Sequence, residues 1–134
     1  MKKLIFAFIF LIVGTIATTA QDNNPVPGAK FKEVSHAFGN IPQGVPATTV
    51  FTYKNIGNTP LVIETATASC GCTTPEYPKT PVLAGKTGEI KVTYNAVATG
   101  NFTKMVTVKF ANNQKPVLLK IEGNVVEKKT TASN

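Results

Sequence analysis

The 134-residue sequence contains no arginine, one histidine and two cysteines, and each scarcity excludes a class of function. Arginine supplies the planar group that usually contacts bases and phosphates, and the lysines here are spread along the chain without a dense run. We therefore expect no nucleic-acid partner, although the net charge is +7. A zinc site needs four protein ligands, or three and a water, and this chain has no second cysteine pair to supply them.

The acidic residues are also few, and they do not assemble into a catalytic set. Glu64, Glu89 and Glu122 fall on the outward faces of expected strands. Asp22 and Glu127 lie in segments expected to be flexible, so no Ser-His-Asp triad has a structured aspartate. The sequence therefore predicts that the protein is not an enzyme.

An export signal is predicted at the start of the chain. Lys2 and Lys3 precede an apolar run over residues 4–13, which is shorter than the roughly 20 residues that a membrane-spanning helix needs. Thr18 and Ala20 suit cleavage by signal peptidase after Ala20. We expect residues 1–20 to be removed, leaving an exported protein, periplasmic or extracellular, with no transmembrane span.

The remainder has the size of one domain. Residues 21–29 form a polar, proline-containing stretch that we expect to be a flexible leader, and residues 127–134 form a polar tail. Between them, residues 30–126 are expected to fold as the domain. A chain of this length can bury a core without disulfides, so the fold is not expected to depend on its cysteines.

Apolar residues recur with a period of two, and turn signals separate these segments at intervals of about 8–14 residues. This pattern predicts an all-β, immunoglobulin-like sandwich of two antiparallel sheets with about seven strands. The expected strands cover residues 30–38, 49–55, 61–67, 89–95, 103–110 and 116–125.

Several motifs carry a resemblance to a known family, and together they cover roughly residues 30–126. They are Phe38-Gly39-Asn40-Ile41 with Gly44, Phe51-Thr52-Tyr53-Lys54-Asn55-Ile56-Gly57, Pro60-Leu61-Val62-Ile63, Ser69-Cys70-Gly71-Cys72-Thr73, Gly85 with Gly88-Glu89-Ile90-Lys91-Val92, Gly100, and Leu119-Lys120-Ile121-Glu122-Gly123. In their order and spacing they resemble the bacterial domain-of-unknown-function family fifteen seventy-three. That family is similar to the immunoglobulin-like domains of the major-sperm-protein and ASPM–SPD-2–Hydin type. The resemblance implies an envelope protein with this fold, and no established reaction.

The two cysteines are one residue apart, which makes them a weak structural link. In an extended strand the Cα atoms of Cys70 and Cys72 lie about 6.6 Å apart, near the upper limit for a disulfide. Ring closure needs a bend, which Gly71 permits. A ring of three residues contributes only about 1.6 kcal/mol before strain is subtracted. Three interpretations therefore stay open: a local structural disulfide, disulfide exchange, and binding of a soft metal.

Cuprous copper is the metal that suits this pair, because it accepts thiolates and few ligands. His36 could join Cys70 and Cys72 if the first strand lies beside the cysteine loop, although a single histidine on a strand is commonly structural. No other cofactor is expected.

We therefore predict a non-enzymatic, immunoglobulin-like interaction module that binds a protein partner in the cell envelope. Contact would involve the loop over residues 69–82 or an exposed strand edge, with Tyr77 as a contact residue. The alternative is a periplasmic thiol protein that binds Cu(I) or exchanges disulfides through Cys70 and Cys72. The partner and the oligomeric state do not follow from the sequence.

Overall fold

The alternating pattern produces eight β-strands in the computed structural model, which describes residues 26–111 and 113–128. The strands are β1 (Ala29–Phe31), β2 (Ser35–Pro42), β3 (Ala47–Asn55), β4 (Ile63–Ala68), β5 (Thr73–Glu76), β6 (Thr87–Tyr94), β7 (Gly100–Phe110) and β8 (Val117–Val126). One four-stranded sheet has the order β1-β3-β6-β5 and is called the β1 sheet below. The other, the β2 sheet, has the order β2-β8-β7-β4. The all-β sandwich predicted from the sequence is confirmed.

The structure corrects two details of that prediction. There are eight strands, and β2 pairs with β8 in parallel, so the β2 sheet is mixed. The strand expected over residues 30–38 is split between the two sheets as β1 and β2, and β5 forms within residues 69–82, which were expected to be a loop. Phe31 and Val34 are three positions apart, and an unbroken strand would point them to opposite faces. Changing sheets between them lets both pack against the core.

The core lies between the sheets and contains the residues that the period of two places inward. Ile90, Val92, Val106, Val108 and Leu119 are fully buried, as expected. An aromatic cluster fills one end, where the Phe110 ring lies 6.3 Å from Phe31 and 5.4 Å from Tyr53 between ring centroids. These buried apolar side chains provide most of the favourable free energy of folding.

The domain begins earlier than residue 30. Val26 and Ala29 are fully buried, and Ala29 starts β1, although both fall in the expected leader. The predicted signal peptide (residues 1–20), the first five residues of the leader (21–25) and the end of the tail (129–134) lie outside the described residues. Within the described part of the chain, no helix is long and apolar enough to cross a membrane.

Tyr53 gives the fold a testable dependence on pH. Its side chain is 1% exposed, and its hydroxyl is buried without a hydrogen-bond partner. Burial raises the pKa of Tyr53 from 10.0 to about 12. Because the unfolded chain loses this proton first, we expect stability to fall as the pH rises from 10 to 12, by roughly 2 to 3 kcal/mol from this group.

The measurement is urea unfolding of the wild type and of Tyr53→Phe at pH 8, 10 and 11.5. We expect the variant to be equal or slightly more stable at pH 8, because it removes an unpaired buried hydroxyl. It should then lose less stability than the wild type at pH 11.5. Parallel losses in the two proteins would show that Tyr53 does not titrate as its burial requires.

Candidate functional site

The cysteine ring lies where the chain crosses from one sheet to the other. β4 ends at Ala68 in the β2 sheet, and β5 begins at Thr73 in the β1 sheet. Cys70 and Cys72 form a disulfide in the intervening turn, and their Cα atoms lie 5.3 Å apart. The turn is closed by the Thr73 N–H, which donates to the Cys70 carbonyl at 3.4 Å. The bend at Gly71 thus makes the ring geometrically accessible.

Both sulfur atoms lie near one hydroxyl group. Thr73 Oγ1 is 3.7 Å from Cys70 Sγ and 3.9 Å from Cys72 Sγ, and Thr73 is buried at the start of β5. The two cysteines are themselves half-buried. A thiolate released from either sulfur would therefore have a hydroxyl within reach of a weak hydrogen bond.

The structure does not bring His36 to the cysteines. β2, which carries His36, and β4, which precedes the ring, are opposite edges of the β2 sheet. Three interstrand spacings separate them, or about 14 Å. His36 Nδ1 instead lies 3.8 Å from Glu33 Oε1, and its ring packs edge-on against Phe38. Among residues 26–111 and 113–128, no three His, Cys, Asp or Glu side chains are grouped to hold a metal ion.

Tyr77 follows β5 and is half-buried against the core. Lys79 Nζ lies 3.7 Å from the centroid of its ring, so one face of the ring is covered by a cation. Tyr77 and the cysteine ring lie at opposite ends of β5. The role of Tyr77 as a contact residue stays a prediction.

A surface that the sequence analysis missed surrounds the cysteine ring. One hydrogen bond joins the ring to the loop after β6, because the Asn95 N–H donates to the Cys72 carbonyl (2.9 Å). That loop is in turn bonded to the turn after β2, where Gln43 Nε2 donates to the Val97 carbonyl (2.9 Å). The Gln43 N–H also donates to the Val126 carbonyl (2.8 Å). Residues 42–45, 69–73, 95–100 and 126 thus form one end of the sandwich, called the cysteine end below.

The cysteine end exposes apolar side chains and carries no charge. Val45, Val97 and Val126 are 43%, 63% and 39% exposed. Ala96, between Asn95 and Val97, has a φ of 54°. This left-handed conformation turns the chain so that Val97 points outward while Ala96 is buried. The sequence holds a signal for this surface, because residues 37–53, 65–75 and 92–103 contain no charged residue. Only the fold brings these three runs to the same end.

Comparisons with known proteins agree with this architecture. The family described as "Protein of unknown function (DUF1573)" matches residues 29–125. A search of curated proteins finds no match. The ASH/PapD-like domain 7 of human CEP192 has a TM-score of 0.63 at 10% identity, covering 78% of this chain and 89% of that domain.

Two further structures share the fold. A protein of unknown function from Porphyromonas gingivalis W83 has a TM-score of 0.62 at 12% identity, covering 72% of this chain and 46% of that one. WR4, an MSP family member of C. elegans, has a TM-score of 0.52 at 8% identity, covering 74% and 98%. At these identities the likeness establishes the immunoglobulin-like fold alone.

Proposed function

The chain belongs to the DUF1573 family, whose function is unknown, and from that premise we propose an exported, non-enzymatic interaction module of the bacterial cell envelope. Its contact surface is the cysteine end, which binds a protein partner. The observation that carries this proposal is the exposure of three valines around a disulfide, on an end without charge. Protein interfaces have cores depleted in charged residues, and clustered exposed apolar side chains commonly mark such sites.

The environment of the glutamates supports a non-enzymatic role. Glu76, Glu64 and Glu122 each form an ion pair with a lysine, at 2.8 Å, 3.0 Å and 3.1 Å respectively. All six side chains are at least one-third exposed, so solvent screens the pairs. Such solvent-screened surface pairs do not form an enclosed site in which a side chain could exchange a proton with a bound substrate.

Two features support the envelope as the location. The segment before residue 21 has the composition of a signal peptide. Disulfides such as Cys70–Cys72 persist in oxidising compartments outside the cytoplasm.

The experiment is photo-cross-linking in living cells, with p-benzoyl-phenylalanine placed at position 45. We expect a specific cross-linked product that falls at least fivefold when Val97→Asp adds a buried charge to the interface. The control is Leu118→Asp, at a residue 52% exposed on the outer face of the β2 sheet, and it should leave the product unchanged. Chains recovered from the envelope fraction should begin at Gln21. Equal yields from the two aspartate variants would contradict the proposal.

Disulfide exchange is a second candidate function, favoured by the position of Thr73 Oγ1 beside both sulfur atoms. A thiolate of a partner protein would attack Cys70 Sγ, form a mixed disulfide, and release Cys72 as a thiolate near that hydroxyl. A second thiolate of the partner would then attack the mixed disulfide, which leaves the partner with a disulfide and Cys70 and Cys72 as two thiols. Cu(I) binding would need the same pair reduced, with His36 too distant to contribute.

The cysteine variants separate the two functions. If the protein is an interaction module, Cys70→Ser/Cys72→Ser keeps the position-45 product. If it exchanges disulfides, the double variant loses the product, and the single variant Cys72→Ser accumulates a partner adduct that reductant removes.

A further inference from the structure

The first half of β6 has a strand neighbour on one side only. β3 pairs with β6 along its whole length, from Lys54 opposite Thr87 to Ala47 opposite Tyr94. β5 pairs with β6 only from Lys91 to Tyr94. The segment from Thr87 to Ile90 therefore has an open edge where β5 has already ended.

The register shows which main-chain groups face this open edge. The Asn55 N–H donates to the Lys86 carbonyl, so even-numbered residues of β6 direct their main-chain groups toward β3. The Asn95 N–H donates to the Cys72 carbonyl, so odd-numbered residues face the β5 side. The N–H and C=O of Thr87 and Glu89 accordingly point into the gap, in the spacing that an added strand would use.

Proline explains why β5 does not continue. Pro75 lies opposite Val92, where its missing N–H would have pointed away from β6, so it is tolerated in an edge strand. In the same register Pro78 would lie opposite Glu89, where an N–H is needed for the ladder. The chain therefore leaves β6 before Pro78, and Val82 exchanges two hydrogen bonds with Leu61 instead of pairing with β6.

A groove of about 540 Å³ occupies the place that β5 leaves. Its floor is formed by Thr87, Gly88 and Glu89, and its opposite wall by Pro78 and by residues 80–83. Gly88 has no side chain, and the ring and hydroxyl of Tyr53 pack directly against its Cα. Tyr53 is itself 1% exposed and does not line the groove, so its ring closes the floor behind Gly88.

Cations border the end of the groove at which Thr87 lies. Lys86 lines the groove, and Lys54 is the register partner of Thr87. Lys54 also lies opposite Lys30 across β1 and β3, which places two like charges side by side. Among the described residues, the lysine ion pairs involve Lys91, Lys109 and Lys120 only. An acidic group at this end would therefore be stabilised.

We propose that this groove binds an extended segment of a partner protein, which adds to the β1 sheet as a strand antiparallel to β6. The segment contains two residues with free N–H groups, opposite Glu89 and Thr87, separated by a small residue opposite Gly88. An acidic residue follows, beside Lys86. Main-chain hydrogen bonds supply affinity, and Lys86 supplies the preference for an acidic residue. The site is at the opposite end of the sandwich from the cysteine end and does not depend on it.

The test uses random dodecapeptides displayed on phage and selected on the full-length protein, followed by titration of synthetic versions. We expect the selected peptides to carry an acidic residue and to bind Glu89→Ala nearly as well as the wild type. Glu89→Pro should weaken binding at least tenfold, because both variants lose the carboxylate and only the proline loses the groove-facing N–H. The β3–β6 ladder is retained in both variants, since residue 89 does not bond to β3.

A second measurement does not depend on the variants folding. Methylating the peptide nitrogens one at a time should weaken binding at alternate positions, because every second N–H of an added strand faces β6. Bound peptide should slow hydrogen exchange at the Thr87 and Glu89 amides. Failure to select peptides, a methylation pattern without this period, or equal binding to the two Glu89 variants would overturn the proposal. Loss of binding with Val97→Asp would instead assign the peptides to the cysteine end.

Discussion

Replacing Asn55 by alanine is expected to lower the free energy of unfolding by about 3 to 4 kcal/mol. The side chain is fully buried at the end of β3, and its amide holds three segments together. Nδ2 donates to the carbonyls of Thr59 and Val82, both at 2.8 Å, and Oδ1 accepts from the Gly57 N–H at 2.9 Å. Alanine removes the side-chain partner of the Thr59 carbonyl and of the Gly57 N–H, leaves the Val82 carbonyl with the Leu61 N–H alone, and opens a cavity, so these costs add.

The measurement is urea denaturation followed by circular dichroism, with Asn58→Ala as the matched control. Asn58 is an exposed asparagine in the same turn, and its loss should change stability by less than about 0.5 kcal/mol. Because Val82 lies in the wall of the β6 groove, Asn55→Ala should also weaken any peptide bound there. Similar stabilities of the two variants would show that the turn is held by other contacts.

Replacing Phe110 by alanine is expected to lower the free energy of unfolding by about 3 to 5 kcal/mol. Phe110 is the last residue of β7, is fully buried, and lies edge-on to the rings of Phe31 and Tyr53. Its loss removes apolar burial and both aromatic contacts, and the two β-sheets cannot close around the cavity without moving β1.

Leu118→Ala is the control for this prediction, because Leu118 is a large apolar residue on the outer face of β8. We expect it to change the urea midpoint little, since only a small apolar area is lost. The pair therefore tests the inward and outward assignment of the β2 sheet. A larger loss of stability from Leu118→Ala than from Phe110→Ala would mean that the outer face is covered by a partner or a second copy.

The two proposed surfaces make different demands on a partner. The cysteine end exposes three valines and contains no charged residue, and it fits an apolar surface of another folded protein. The β6 groove exposes main-chain groups and is bordered by Lys86, and it fits an extended acidic segment. Since the two proposed surfaces lie at opposite ends of the sandwich, they would allow the protein to bind two partners at the same time.

Much of the candidate site was within reach of sequence analysis, and part of it was not. The cysteine pair was visible in the sequence, and Gly71 permitted ring closure, but a local disulfide, disulfide exchange and soft-metal binding stayed open. The cysteine end could not be predicted in this way, because its residues come from three uncharged runs far apart in the chain. His36 illustrates the same limit, since no local pattern shows that its strand lies at the opposite edge of the sheet from the cysteines.

Side-chain alternation by itself determined the sandwich class and which residues of β3, β6, β7 and β8 are buried. That signal is local, because a period of two needs only the pleat of a single strand. Tertiary structure decided the assignment of β1 and β2 to different sheets, the left-handed turn at Ala96, and the early end of β5 that leaves β6 open. Each of these depends on which strand pairs with which, and pairing is decided by packing between residues distant in the chain.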